Sequence, residues 1–518
     1  MRKTENAEVA SIVFAVTTIL SKVLGFARDL FLSNYFGVSK SVDALSAALP
    51  INSIFQNIMT SAIVISLIPI FIEEVNKNKE QAEKDLSNVF AVIFTVFLIL
   101  SFILIIFSDN LVGVLAPGFV GDSTLRTLTA KLIDLVTISG FLWAIVGFLF
   151  GIAQSKKHFF ITAITPLFAN IFIILGLIFF HNSLGIYSYI VGLNVGLIIQ
   201  LCIMIYYSIR YLNLKFHFSF DFKSPFLKKL VILSIPLILL QLVNYAVTLI
   251  GNRIASTLAS GSISSIQYAN KLRQLWVSVL TVPIATAYYP FLSEAATENN
   301  SEELSNIFRK SNEFALLLGI PITVISFLFA NPIVKIVFER GAFNANAVIL
   351  TTEAFKYFSI GIFALMITTL SMRVLYAMRE MYLTFFVSLA IAVINVGLFY
   401  PMVKIVGHAG IPLSISVGLI IEAIVFLVVL EIKTHIELKG FLVSTAKIAI
   451  ASLVSGVIMY GIFNLLLKIV SLQGNLMLLI KLIIAGIVFL IVYFIILRIF
   501  KVEEVNRLRE LLKVRAKP

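Results

Sequence analysis

The sequence predicts an all-α polytopic membrane protein, and three observations carry that expectation. Hydrophobic residues fill 59% of the 518 positions and charged residues only 13%, against about half and about a quarter in a soluble globular chain. Apolar runs long enough to cross a hydrocarbon core of about 30 Å, which takes roughly 20 residues of helix, recur from end to end. The basic excess, 40 Lys and Arg against 27 Asp and Glu, collects in alternate connections, as the positive-inside bias requires.

Taken in order, fourteen runs meet the length requirement. The first, 8–34, is apolar apart from Glu8 at its start and charges in its second half, and the second, 44–72, carries a polar stripe and ends near Pro69. Runs 86–108, 127–154, 158–180 and 186–209 follow, the last containing the lone Cys202. Polar stripes return in 229–257 and 263–292. Runs 313–338, 347–376, 381–404 and 409–431 come next, and 443–467 and 476–499 are apolar apart from Lys447, Lys481 and Arg498. A single cysteine excludes a disulfide framework and a cysteine metal cluster, and no metal site is expected.

The net charge of +13 does not point to nucleic acid, because its placement is topological. With a cytoplasmic N-terminus, the even-numbered connections hold Lys77, Lys79 and Lys84, then Lys156 and Lys157, then Arg210, Lys215, Lys223, Lys228 and Lys229. They continue with Arg309 and Lys310, Arg373 and Arg379, Lys433 and Lys439, and end in a tail with Lys501, Arg507, Arg509, Lys513, Arg515 and Lys517. The opposite face has a scatter such as Lys40, Arg126, Arg340 and Lys404. Both termini are therefore expected in the cytoplasm. The tail is either a topology anchor or a contact with anionic lipid, where each basic residue contributes about 1 kcal/mol. The first run is too long, and too charged, for a cleavable signal.

The chain also repeats itself. Asn110 to Phe119, after the third run, resembles the segment starting at Asn331 after the ninth, and Pro69 to Glu73 matches Pro290 to Glu294, both at an offset of 221 residues. An offset spanning six helices keeps the orientation, so two parallel six-helix lobes are expected, 1–218 and 219–437, with a midplane site between them. Residues 438–518 then hold an extra helix pair and the basic tail.

Charged and polar residues inside the spans mark the candidate site. Lys22, Arg28 and Asp29 lie in the first span, where each costs about 2.5–3.5 kcal/mol unless it faces protein or water. Lys22, Gly25 and Asp29 share a helix face with Arg28 about a third of a turn away, so Asp29 is expected to orient Lys22 while Arg28 meets another neighbour. Asn52, Gln56 and Thr60 form a stripe on the second span, Gln241, Asn244, Thr248 and Asn252 on the seventh, and Gln267, Lys271 and Gln274 on the eighth. Amides alone read as interhelical glue, about 0.6 kcal/mol each. Lys22, Arg28, Arg253 and Lys271 add net positive charge that glue does not need and that Asp29 and Asp43 do not balance, which favours a hydrated cavity for an anionic substrate. Arg28 and Asp43 also fit helix ends that snorkel to the interface. Gly25, Pro69 and Pro290 read either as hinges or as ordinary membrane-helix residues.

These residues resemble the MurJ (MviN) family of lipid II flippases. The likeness runs from Thr17 through Ser21, Lys22, Gly25, Arg28 and Asp29 to Tyr35-Phe-Gly37 and Asp43-Ala44. It continues through Gly261-Ser-Ile-Ser264, Tyr268-Ala-Asn-Lys271, Phe338-Glu-Arg340-Gly-Ala-Phe343 and Arg373-Val-Leu-Tyr-Ala377. The resemblance implies fourteen helices in two lobes plus a C-terminal pair, within the multidrug and oligosaccharidyl-lipid exporter superfamily. It implies movement of undecaprenyl-pyrophosphate-linked disaccharide-pentapeptide to the outer leaflet of the bacterial cytoplasmic membrane by alternating access. Cavity cations would hold the pyrophosphate, the protein would work as a monomer, and membrane lipids and cell-wall synthesis enzymes would be its surroundings. Lys22 and Lys271 stand where the family usually has Arg, keeping charge but losing the bidentate fork. In the second span the family's Arg-Arg pair is replaced by Ile54 to Ser61, which keeps another lipid-linked glycan open as substrate, such as a capsule, teichoic acid or exopolysaccharide unit.

No Walker A loop, zincin or nucleophile-elbow motif is present, so an enzyme and direct ATP use are not expected. Coupling to membrane potential through the cavity cations, or to a proton or monovalent cation at Glu353 or Glu422, remains open. A multidrug exporter would want cavity acids, and a non-transporting scaffold is the remaining alternative.

Overall fold

In hydrocarbon every backbone N–H and C=O must be satisfied within the chain, and the described residues of the computed structural model accordingly contain helices and turns and no strand. The structure describes residues 7–212, 220–298, 300–434, 438–470, 472 and 474–502. Lys215, the tail beyond Val502 and the expected lobe boundary at 218/219 lie outside the described residues.

Chain packing separates two compact units. The first is Met1–Ser264 with Arg340–Phe343. It holds α1 (Ala7–Phe36), α2 (Lys40–Ile58), α3 (Val64–Lys77), α4 (Lys79–Ile106), α5 (Ser108–Leu115), α6 (Ser123–Ser155), α7 (Phe159–Ile164), α8 (Pro166–Leu184), α9 (Tyr187–Arg210) and α10 (Pro225–Ala255). A π-turn, Met59–Ile63, joins α2 to α3. Glycines let these helices approach closely, the main route to tight packing where lipid removes the hydrophobic drive between helices. Added Cβ atoms at Gly140 and Gly151 of α6 would stand 2.8 Å from Phe55 and 3.0 Å from Val64. On α9, Gly192 and Gly196 leave room for the α8 backbone at Phe172 and Ala169. The seventh span of the chain, α10, packs within this unit, where Asn57 Nδ2 donates to the Tyr245 hydroxyl at 2.5 Å.

The second unit is Ser265–Glu339 with Asn344–Pro518. Most of α11 (Ser262–Thr297) belongs to it, followed by α12 (Ser301–Leu328), α13 (Ala330–Phe338), α14 (Ala345–Ile360), α15 (Ile362–Ala377), α16 (Met381–Val406), α17 (Gly410–Thr434), α18 (Leu438–Ile469) and α19 (Asn475–Ile499). Phe308, Phe329, Phe426, Phe441 and Phe489 are buried in one cluster, so the last two helices share the core of this unit.

Local features recur between the halves. Asn78 and Asn300 cap α4 and α12, Phe107 and Phe329 interrupt the chain before α5 and α13, and Asp122 and Asn344 cap α6 and α14. Each pair stands one residue further apart than the sequence offset of 221. Several spans differ from their expected form: 44–72 contains the π-turn and 158–180 is α7 followed by α8. The run 313–338 is two helices, because Phe329 leaves helical geometry at φ −110°, ψ 25° and because the Asn300 cap starts α12 well before the apolar stretch. The run 347–376 bends by 47° between α14 and α15. Among the described residues ten helices are long and apolar enough to cross a membrane, or up to twelve if each bent pair is one span.

Candidate functional site

In the first unit the structure gives Asp29 to its chain neighbour Arg28. Arg28 Nη2 and Nε donate to Asp29 Oδ1 at 2.9 and 3.2 Å, and Nη1 donates to Asn170 Oδ1 of α8 at 3.2 Å. The guanidinium also lies 5.7 Å from the ring centroid of Tyr189 on α9. This corrects the expectation that Asp29 orients Lys22, which is exposed on α1. Side-chain reach explains the difference, since a long Arg folds back onto an adjacent carboxylate regardless of the angle between their Cα–Cβ bonds. Arg28 does not snorkel; it is held at the packing of α1, α8 and α9, and Gly25 faces the same Asn170.

Asp43 is buried in the first turn of α2, and it too does not snorkel. Its two oxygens accept the backbone N–H of Gly261 at 2.6 Å and of Ser264 at 2.7 Å. A carboxylate on unfilled N–H groups at a helix N-terminus is doubly favoured, by hydrogen bonding and by the helix dipole. Asp43 therefore caps the start of α11.

The polar stripes divide by exposure. Asn52 is buried with its Oδ1 unpartnered, while Gln56 is half-buried. On α10, Gln241 is half-buried, Asn244 is exposed, and Asn252 is buried and donates to the Ser46 carbonyl at 3.3 Å. Arg253 is exposed and donates to the Val114 carbonyl at 2.6 Å, at the C-terminal end of α5. That is where a cation is favoured by the α5 dipole. On α11, Gln267 and Lys271 are half-buried and Gln274 is exposed. The first unit thus pairs Arg28 with Asp29, seats Asp43 separately on the start of α11, and leaves Lys22 and Arg253 exposed. Helix α1 runs unbroken through Gly25. The irregularities near the two prolines fall at Met59–Ile63 before Pro69 and at Ala285–Ala287 before Pro290.

Sequence reading missed Arg273. It sits on α11 two residues past Lys271, about 200° around the helix, so it faces away from that lysine. Its Nη2 donates to Asn270 Oδ1 at 2.7 Å and its Cζ lies 4.4 Å from the Phe358 centroid. Nε and Nη1 are buried without a partner. An arginine within an apolar span was the available signal. Of the two candidate acids, Glu422 accepts from Ser388 Oγ at 2.9 Å, and Glu353 lies 3.9 Å from His408 Nδ1. Among the described residues no group of three or more His, Cys, Asp and Glu is arranged to hold a metal ion.

A family model described as "Lipid II flippase MurJ" matches residues 32–482. A protein of Rhizobium tropici named "Probable lipid II flippase MurJ" is 28% identical over 454 residues, covering 86% of this chain and 85% of that protein. Its namesake from Thermotoga maritima is 26% identical over 507 residues, covering 96% and 98%. Among solved structures, "Lipid II flippase MurJ, inward closed conformation" superposes with a TM-score of 0.80 at 23% identity, covering 94% of this chain and 99% of that one. An inward-facing multidrug resistance MATE transporter of the MOP superfamily gives 0.71 at 14% identity, covering 82% and 98%.

Proposed function

This chain belongs to the MurJ family of lipid II flippases, and on that premise we propose that it moves lipid II from the cytoplasmic to the outer leaflet of the bacterial inner membrane. The observation that carries the reading is the family match over residues 32–482, which takes in Lys271, Arg253 and nearly all of the paired helices. We place the pyrophosphate with the cations Lys22, Arg28, Arg253 and Lys271. Arg28, fixed by Asp29 and Asn170, would present a positioned guanidinium, and the exposed Lys22 a mobile charge. Asp43, Asn52, Gln56, Gln241, Asn244, Asn252, Gln267 and Gln274 would support the head group, and Gly25, Pro69 and Pro290 would permit bending.

A family of transporters needs two access states, and the division into lobes 1–218 and 219–437 with an added pair over 438–518 describes how the repeat would supply them. Counting α1, and counting the stretch Met381–Thr434 as two crossings because Gly407 turns it at φ 63°, extends twelve spans to the fourteen proposed. Both termini would be cytoplasmic, and the protein would act as a monomer beside the cell-wall synthesis enzymes. Cations in the cavity would couple to membrane potential at about 2.3 kcal/mol per charge per 100 mV, with a monovalent cation at Glu422 as the alternative driver. The second-span departure, Ile54 to Ser61, favours one second reading, transport of another lipid-linked glycan.

The test is rescue of a bacterium depleted of its own lipid II flippase, with lipid II exposed on the outer leaflet as the readout. The native chain should restore exposure, and Arg28→Ala and Lys271→Ala should reduce it toward background. A well-expressed native chain that restores none would eliminate lipid II as substrate.

A further inference from the structure

Two loop contacts in the first unit resemble one another: their carbonyl residues, Asn34 and Ser256, stand 222 residues apart and their loop glycines, Gly118 and Gly341, stand 223 apart. In one, the Asn34 carbonyl near the end of α1 accepts the Ala342 N–H at 2.7 Å. The same carbonyl stands where a Cβ on Gly341 would be, and the Ala342 carbonyl stands where a Cβ on Gly37 would be. Gly37 has φ 56° and Gly341 φ 53°, left-handed conformations that favour glycine. In the other contact, the Ser256 carbonyl just past α10 stands where a Cβ on Gly118 would be, and Ser256 Oγ accepts the Gly118 N–H at 3.2 Å. Arg253 reinforces it through the Val114 carbonyl.

The equivalence is positional. Asn34 and Ser256 have the same spacing as the caps Asn78 and Asn300, and each offers its carbonyl to a glycine in the loop after the short helix, α5 or α13, of the opposite half. The end of the first half's leading helix is clasped by the second half's loop, and the end of the second half's leading helix by the first half's loop. Residues Arg340–Phe343 pack with the first unit although the chain on both sides of them belongs to the second. A backbone contact of this kind has two discrete arrangements, made or broken, because no side chain is long enough to follow a separation.

We propose that these two carbonyl–glycine clasps are matched latches that hold the ends of α1 and α10 in this state and open together once per transport cycle. The proposal rests on the transport reading above for the word cycle, but not for the paired opening. Glycine at Gly37, Gly118 and Gly341 is needed because any side chain would hold the latch ajar.

The first arm of the experiment joins Asn34→Cys to Ala342→Cys, with Cys202→Ser removing the native thiol, and oxidises the full-length protein in membranes with copper phenanthroline. Lipid II exposure should fall at least about tenfold when the pair is joined and return with reductant, as expected when one state is removed from a two-state cycle. Equal exposure from verified joined protein overturns the latch. The second arm needs no lipid substrate. Maleimide labelling of the thiol in Ala342→Cys is timed alone and with Gly118→Ala or the milder Ser256→Ala, both at the other clasp. Faster labelling supports paired opening, and an unchanged rate with folded variants overturns it. If the native chain exposes no lipid II, the transport reading fails while the labelling arm still decides the latches.

Discussion

Each unit holds a half-buried arginine among its helices, and only one of the two has a carboxylate beside it. Arg28 has Asp29, Asn170 and the face of Tyr189, whereas Arg273 has Asn270 and the face of Phe358, with two N–H groups unfilled. A second contrast follows the same division. Helix α6 continues without a break for 33 residues, but its counterpart turns by 47° at Gly361. The cause is visible in the ladder. Ser416 Oγ donates to the Tyr357 carbonyl at 2.7 Å, taking the acceptor that the Gly361 N–H would use in an α-helix, and that N–H turns to Phe358 at 3.2 Å. Midway along α6, Gly140 meets the Phe55 ring, which cannot compete for a carbonyl. The caps and breaks recur at one spacing in both halves, while the side chains that meet each helix set its charge state and its straightness.

Removing Arg28 should have the largest effect. Arg28→Met breaks the ion pair with the buried Asp29 and should destabilise the protein by about 3 kcal/mol, read as a fall in Tm of the purified protein. Arg273→Met should go the other way, neutral to about 1 kcal/mol stabilising, since it replaces an unpaired buried cation by an apolar chain of similar length. A fall in Tm as large as that of Arg28→Met would show that Arg273 has a partner in the folded state and would remove the contrast. Ser416→Ala should return the Tyr357 carbonyl to Gly361 and reduce the bend, at a cost of about 1 kcal/mol for the lost hydrogen bond. Spin-label distances spanning α14 and α15 would lengthen, and unchanged distances would assign the bend to another cause.

The smallest effect concerns the caps of the matched helices. Asp122 accepts the Leu125 N–H at 3.1 Å to cap α6, and Asn344 accepts the Ala347 N–H at 3.0 Å to cap α14. The Lys40 ammonium, 2.9 Å away, and the cap N–H hold the Asp122 carboxyl below the usual carboxylate range. A depressed folded pKa contributes stability above the unfolded value of about 3.9, and that contribution is lost as pH falls through the folded value. Acidification should therefore lower the protection of amides in the first turn of α6, taken relative to the intrinsic exchange rate at each pH, and leave the protection in the first turn of α14 unchanged. Equal responses would show that the two caps do not differ in ionisation.

The fold class was legible because hydropathy and helix capping are local. Apolar length marks each crossing, and Asn78, Asp122, Asn300 and Asn344 announce helix starts from their own chemistry. Lys22, Arg28, Asp29 and Lys271 stand out as costly charges in apolar runs, Asp43 stands just before one, and the repeat is visible as a shared offset. Arg273 was in equally plain view but was overlooked beside Lys271, and its partner Phe358 is 85 residues away.

By itself, then, the sequence determined that the chain is helical and membrane-spanning, that short segments recur at a shared offset, and which charges need explaining, since these follow from composition, periodicity and spacing. Only the tertiary structure decided that Asp29 serves Arg28, that Asp43 caps α11, that Gly361 bends where Gly140 does not, and that the carbonyls of Asn34 and Ser256 are clasped by distant glycines. Those outcomes depend on which face of one helix meets which face of another, and a step of one residue turns a helix by about 100°. No run of neighbouring residues contains that information.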